Sequence, residues 1–274
     1  MPRTILVGIL NITADSFSDG GRFLDPEAAI AHARSLAAEG SDIVELGAAA
    51  SNVAAGSVPP DEEIGRLDPV LTALADSGIK LAVDTYSPQT QRFALSRGIA
   101  CLNDIRGFPD PALYPALASD SCLLVVMHAA GGIGRAEPLD LDPGEVWRRI
   151  AAFFSERVVT LERAGIARGR LILDPGMGLF LSPRPEASLH VLARVARLKE
   201  MFGLPVMISV SRKSFLGAIT GRRSPDERGP ATLAAELYAA AQGADYIRTH
   251  DPAALRDALT VTATLEAAEE TGDR

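Results

Sequence analysis

KLAVDTYSPQTQRFALSRGIACLNDIRG, residues 80–107, contains one complete unit of the pattern that runs through this chain. A short apolar run, residues 80–85, breaks at Ser87-Pro88. That pair sets a capping hydroxyl before a proline at the first helical position. The spacing then predicts a helix over 88–97, stopped by Gly98. A second apolar run, 101–105, follows at once. Both runs are apolar on both alternations, as strands buried on both faces are, and such strands lie parallel. Parallel neighbours need a crossover, which the intervening helix supplies.

The unit recurs outward from this stretch. Strands are expected at 4–11, 43–47, 123–128, 171–175, 205–211 and 246–250. Helices are expected at 26–39, 62–76, 111–118, 145–164, 185–202, 230–241 and 252–269. Asp25-Pro26, Asp110-Pro111 and Asp251-Pro252 repeat the start signal, and Gly40, Gly78, Gly165, Gly203 and Gly243 repeat the stop. Eight strand–helix pairs in 274 residues predict a single (β/α)8 TIM barrel occupying the whole chain. The rival is an open doubly wound sheet. Its nucleotide-binding form often carries G-x-G-x-x-G after the first strand. Here that strand ends in Asn11-Ile12-Thr13.

Composition narrows the class. The chain is 47% hydrophobic and 23% charged, with a formal charge of -8. The acidic balance, with a pI near 5.1, argues against a nucleic-acid partner and suits a soluble cytoplasmic protein. Two cysteines, Cys101 and Cys122, sit in or beside apolar runs and read as buried thiols. No run of about 18 apolar residues predicts a membrane span. The opening MPRTILVGILN lacks a cleavage signal and reads as a first strand.

Barrel chemistry gathers where strands end. Asn11 closes strand one, and Glu45 to Ser51 surround the end of strand two. Asp84 ends strand three, Asn103 and Asp104 lie in strand four, and His128 closes strand five. Asp174 ends strand six, Ser211 to Lys213 follow strand seven, and Arg248 and His250 end strand eight. Singly, several have plain structural readings. Asp84 caps a loop as readily as it binds, Asp104 pairs with Arg106, and His128 reads as a structural histidine. Asp174-Pro175-Gly176 is a turn signature, Gly131 to Gly134 reads as a loop, and Tyr86 and Phe108 read as packing. Together they place polar groups on one rim, which is costly unless those groups are used. Asp84, Asn103 and Asp174 suit a ligand rich in N–H donors. Lys213, Arg248 and His250 form a cationic side suited to phosphate oxygens. Asn11 offers an oxygen for Mg²⁺, which takes few protein ligands beside phosphate and water.

Seven segments, in order, resemble dihydropteroate synthase: GILNITADSFSDGG (8–21), LAVDTYSP (81–88), LNDIRG (102–107), VVMH (125–128), LDPGMG (173–178), SVSRKSFLG (209–217) and YIRTHD (246–251). The resemblance implies joining of 6-hydroxymethyl-7,8-dihydropterin pyrophosphate to p-aminobenzoate, with loss of pyrophosphate. It implies that Asp84, Asn103, Met127, Asp174 and Lys213 hold the pterin, with Lys213 and Asp84 catalytic. Asn11, Arg248 and His250 would take the pyrophosphate, Asn11 with Mg²⁺. Ser51, Leu179, Phe180 and Ser211 would face p-aminobenzoate. The loops 13–23 and 48–60 would close over the site. A homodimer through the late helices is also implied.

Two departures fall on the p-aminobenzoate side. After strand two the family's Gly-Glu-Ser-Thr-Arg-Pro-Gly is replaced by GAAASNVAAG (47–56), so Asn52 stands where arginine is usual and Val53 where proline is usual. After strand six the family's Phe-Gly-Lys is replaced by Leu179-Phe180-Leu181, followed by a longer SPRPE segment (182–186). These features resemble the sulfonamide-insensitive branch of the family, although that branch tends to carry two adjacent phenylalanines. Phe180 is the expected discriminator against sulfonamides. Three other readings stay open: a drug-sensitive synthase, a corrinoid-linked methyl-transfer domain, and a non-catalytic pterin-binding barrel.

Overall fold

The computed structural model describes residues 3–13, 23–49, 58–131 and 139–272. The expected loop residues 14–22 and 50–57, including Ser51, Asn52 and Val53, lie outside these, as do 132–138.

Eight strands form one parallel sheet: β1 (Ile5–Asn11), β2 (Ile43–Gly47), β3 (Leu81–Asp84), β4 (Cys101–Asp104), β5 (Leu123–Met127), β6 (Leu171–Asp174), β7 (Met207–Ile208) and β8 (Tyr246–Thr249). Their order is β6-β5-β4-β3-β2-β1-β8-β7. A parallel bridge between Leu173 and Val206 joins the two ends, so the sheet closes on itself as a barrel.

One small apolar cluster plugs the interior. It comprises Val7, Ile43, Ala82, Cys101, Val125, Ile172, Met207 and Tyr246, one residue from each strand. A larger cluster fills the space between the sheet and the surrounding helices. Side chains alternate faces along a strand. Two residues beyond each plug residue, toward the strand's C-terminal end, another side chain faces inward. Those positions are Ile9, Glu45, Asp84, Asn103, Met127, Asp174, Ser209 and Arg248. The expected polar rim is thus an inner layer resting on an apolar floor.

The helices are α1 (Pro26–Ala38), α2 (Pro60–Leu74), α3 (Pro88–Ser96), α4 (Tyr114–Ser119), α5 (Pro143–Arg163), α6 (Pro185–Leu192), α7 (Val195–Phe202), α8 (Ser214–Thr220), α9 (Gly229–Ala241) and α10 (Pro252–Gly272). The expected caps form: the Asp25 carboxylate accepts from the Ala28 amide, the Ser87 hydroxyl from Thr90, Asp110 from Ala112 and Asp251 from Ala254. Asp142 caps α5 in the same way through Glu145.

Beyond shifts of one to three residues at element ends, four features differ from the sequence reading. The single helix expected over 185–202 is two, α6 and α7. Arg194, at φ -123° and ψ 17°, leaves helical geometry between them. The helix expected over 111–118 begins as a 3-10 turn, Pro111–Leu113, before α4. The seventh strand shrinks from 205–211 to Met207–Ile208. The seven-residue α8 follows it and was not anticipated.

Candidate active site

Glu45 is 1% exposed, inside the barrel. It accepts from Arg248 Nε, and its other oxygen accepts from Asn103 Nδ2 at 3.2 Å. Arg248 Nη2 also donates to Asp84 Oδ2 at 3.1 Å. One guanidinium from β8 therefore spans carboxylates on β2 and β3. Strand register supports the grouping: Gly47 pairs with Asp84, and Asp84 with Asn103. Glu45 was absent from the residues expected to bind ligand. Its signal was a lone charge inside the otherwise apolar IVELG strand.

Charge crowding perturbs these groups. Asp84 is pushed up to about 7, mainly by burial and next by the charge of Glu45, while Arg248 opposes the rise. Burial also raises Asp174 to about 6, against a hydrogen bond from the Gly176 amide and the charges of Lys213 and Arg248. That amide donates to Asp174 Oδ1 at 2.8 Å. The turn reading of Asp174-Pro175-Gly176 is correct locally, and the turn aims the carboxylate inward. Asn103 is 2% exposed, and its Oδ1 has no hydrogen-bond partner among the described residues. A buried acceptor left unmet is costly, and a ligand N–H would satisfy it.

Lys213 reaches the same space from the turn after β7. Its ammonium donates to Met177 O at 3.3 Å and lies 5.0 Å from the Phe180 ring centre. Burial lowers it to about 8, with Asp174 and Asp84 opposing and Arg248 assisting. The turn is tightly fixed. Arg212 has φ 58°, its amide donates to Thr232 Oγ1, and its carbonyl accepts from buried Arg228. The strained residue before it turns Lys213 back over the barrel mouth.

Phe180 closes a 3-10 turn, Gly178–Phe180, whose carbonyl accepts from the Ala130 amide at 2.8 Å. Leu179 beside it is 36% exposed. Ser211 Oγ contacts both the His250 amide, at 3.1 Å, and His250 Nδ1, at 2.9 Å. The expected cationic role of His250 is corrected. Burial and the nearby charges of Arg212, Arg248 and Lys213 hold its pKa well below the usual value, so the ring is neutral near pH 7. It remains a hydrogen-bonding group beside two true cations.

Asp104, His128, Phe108 and Tyr86 have structural roles. Asp104 makes no side-chain pair with Arg106 among the described contacts. It accepts from the Arg106 and Phe108 amides and from Gln91 Nε2, which fixes the loop after β4. His128 Nδ1 meets Pro175 O at 3.2 Å, and burial drops its pKa to about 4. Phe108 is core, and Tyr86 lies beneath the Arg106 guanidinium. Met127 is buried and lies next to Asp174 in the strand register. Asn11 ends β1 opposite Gly47, where a Cβ would come within 3.5 Å of Asn11 Oδ1.

A "Pterin binding enzyme" family model matches residues 7–250. Dihydropteroate synthase type-2 of Escherichia coli is 58% identical over 262 residues, covering 96% of each chain. The chain belongs to the dihydropteroate synthases. Among solved structures, the Xanthomonas albilineans synthase with 4-aminobenzoic acid superposes with a TM-score of 0.87 at 38% identity, covering 97% of this chain and 94% of that one. The same enzyme in complex with 7,8-dihydropteroate gives 0.81 at 34% identity, with the same coverage. With this membership the corrinoid-linked and non-catalytic readings lapse.

Proposed function

We propose that this synthase makes dihydropteroate with a p-aminobenzoate side that tolerates sulfonamides. In this reading Asp84, Asp174 and the unmet Oδ1 of Asn103 accept N–H bonds from the pterin, and Met127 lines its pocket. Arg248 and neutral His250 receive the pyrophosphate. Lys213 touches the pterin, and its charge favours departure of the leaving group. The exocyclic C–O bond breaks, and its electron pair leaves with pyrophosphate. The amine of p-aminobenzoate then bonds to that carbon and releases a proton.

Mg²⁺ fits the donor set. Among the described residues no three His, Cys, Asp or Glu side chains cluster to hold a metal. Asn11 Oδ1, beside the small Gly47, instead offers one oxygen of the kind Mg²⁺ combines with phosphate and water. When bound, the ion would neutralise charge on the departing pyrophosphate.

The observation that carries tolerance is the Phe180 ring beside Lys213 on a pinned turn. A sulfonamide extends beyond the outline of p-aminobenzoate, so a bulky rim excludes the drug without any new attraction to the substrate. Leu179 and Ser211 complete that side in this reading, and Ser51, expected with them, lies outside the described residues. Exposed Tyr238 on α9 and Val261 and Leu265 on α10 support a homodimer through these helices. Two free buried cysteines suit a cytoplasmic setting. No helix among the described residues is long and apolar enough to cross a membrane.

The test is pyrophosphate release by purified protein with both substrates and Mg²⁺, titrated with sulfamethoxazole. Turnover persisting at drug levels that silence a sensitive synthase is expected. Turnover that collapses would leave a synthase and remove the tolerance.

A further inference from the structure

We propose that Glu45 is a positioning residue that sets Arg248 and Asn103 in one frame, so that the pyrophosphate side and the pterin side act as a unit. The proposal rests on the assignment of those two sides above, and it adds a residue to which that assignment gave no role.

The geometry is specific. The two Glu45 oxygens are divided between two partners: one accepts from Arg248 Nε, the other from Asn103 Nδ2. The Asn103 contact also fixes which end of its amide faces the ligand. With Nδ2 held by Glu45, Oδ1 is the atom left unmet, and it is buried. A pterin offering N–H donors needs an acceptor there. If the amide turned over, it would present a second donor to those donors. The Arg248 contact works in parallel: with Nε on Glu45 and Nη2 on Asp84, the guanidinium plane is fixed at two points.

Glutamine at this site cannot serve both partners. Its one oxygen accepts from either Arg248 or Asn103, and its amide nitrogen is left against a donor. A second consequence is electrostatic. Asp84 is faced by Glu45 on β2, Arg248 on β8, Asp104 on β4 and Glu63 on α2, and it acts in turn on Lys213. Glu45 is the largest charge effect raising Asp84, and it also raises Asp174. It is not among the groups acting on Lys213.

The experiment is steady-state kinetics of Glu45→Gln and Glu45→Asp against the parent, from pH 5.5 to 9, with Arg248→Ala in parallel. For Glu45→Gln, KM for the pterin pyrophosphate is expected to rise about tenfold or more, while KM for p-aminobenzoate stays within about twofold. The acid limb of kcat/KM should move to lower pH, and the alkaline limb should stay. Comparison with the parent cancels titration of the substrate itself. Glu45→Asp keeps the charge but is one methylene shorter. Its acid limb should stay in place while KM for the pterin pyrophosphate rises. This variant alone decides the matter if Glu45→Gln does not fold. An unchanged KM in either folded variant, or equal losses for both substrates with no movement of the acid limb, would overturn the role of Glu45. If Arg248→Ala also leaves that KM unchanged, the assignment of the pyrophosphate side fails first, and the proposal falls with it.

Discussion

The Lys213 ammonium nitrogen lies 5.0 Å from the centre of the Phe180 ring. In the proposed reading this contact joins Lys213, assigned to the pterin, with Phe180, assigned to drug exclusion. A cation over an aromatic face is attracted by the ring quadrupole, so the ring also has a preferred place.

Phe180→Gly removes the ring from the rim. The inhibition constant for sulfamethoxazole should fall at least about tenfold, while KM for p-aminobenzoate changes by less than about threefold. Competitive inhibition assays against p-aminobenzoate measure both. Equal changes in the two constants would mean that Phe180 does not discriminate by size.

The pH profile of kcat/KM for the pterin pyrophosphate should be bell-shaped. Asp84 at about 7 and Asp174 at about 6 lose their charge as pH falls, which weakens their acceptance of the pterin's donors. Lys213, lowered to about 8, loses its charge as pH rises. The optimum should lie between these limbs, and Asp174→Asn should simplify the acid side.

Stability carries the opposite signature. Between the ordinary carboxylate value of 3.8 and about 7, folded Asp84 holds a proton that the unfolded chain has released. Its contribution to stability therefore falls as pH rises through that window. Asp84→Asn removes this loss, while Glu45 still compensates Arg248. The substrate-free variant should melt a few degrees above the parent at pH 8, with the gap closing near pH 4. A lower melting temperature at pH 8 would mean that Arg248 depends on Asp84.

Much of this was legible in the chain because a strand has period two. Once Ala82 and Cys101 face the floor, Asp84 and Asn103 must face the mouth, and local sequence carries that information. What sequence missed depends on distant partners. Glu45 gains its role from Arg248, 203 positions away. His250 is held neutral first by burial and then by cations that folding brings beside it. The short α8 directly follows the apolar seventh run, with no break residue to divide them. The split between α6 and α7 falls at Ala193-Arg194, where neither glycine nor proline marks it.

Arg228 gives the last prediction. It is 4% exposed, and its guanidinium donates to three carbonyls, those of Arg212, Arg222 and Arg223. Gly217 makes room for this clasp, since a Cβ there would collide with the Arg222 carbonyl oxygen and lie 2.6 Å from Arg228 Nε. Methionine at 228 would fill much of the volume and donate nothing, leaving carbonyls short of partners. The expected loss of stability is about 2–4 kcal/mol. The kinetic loss should be larger in kcat than in KM for p-aminobenzoate, because Arg212 would lose a bond that holds its turned backbone ahead of Lys213. Gly217→Ala should reproduce both effects by forcing the Arg222 carbonyl and the Arg228 guanidinium apart from their present places. Denaturant titration together with kinetics checks the pair. Full kcat in a destabilised Arg228→Met would mean that the clasp serves folding alone.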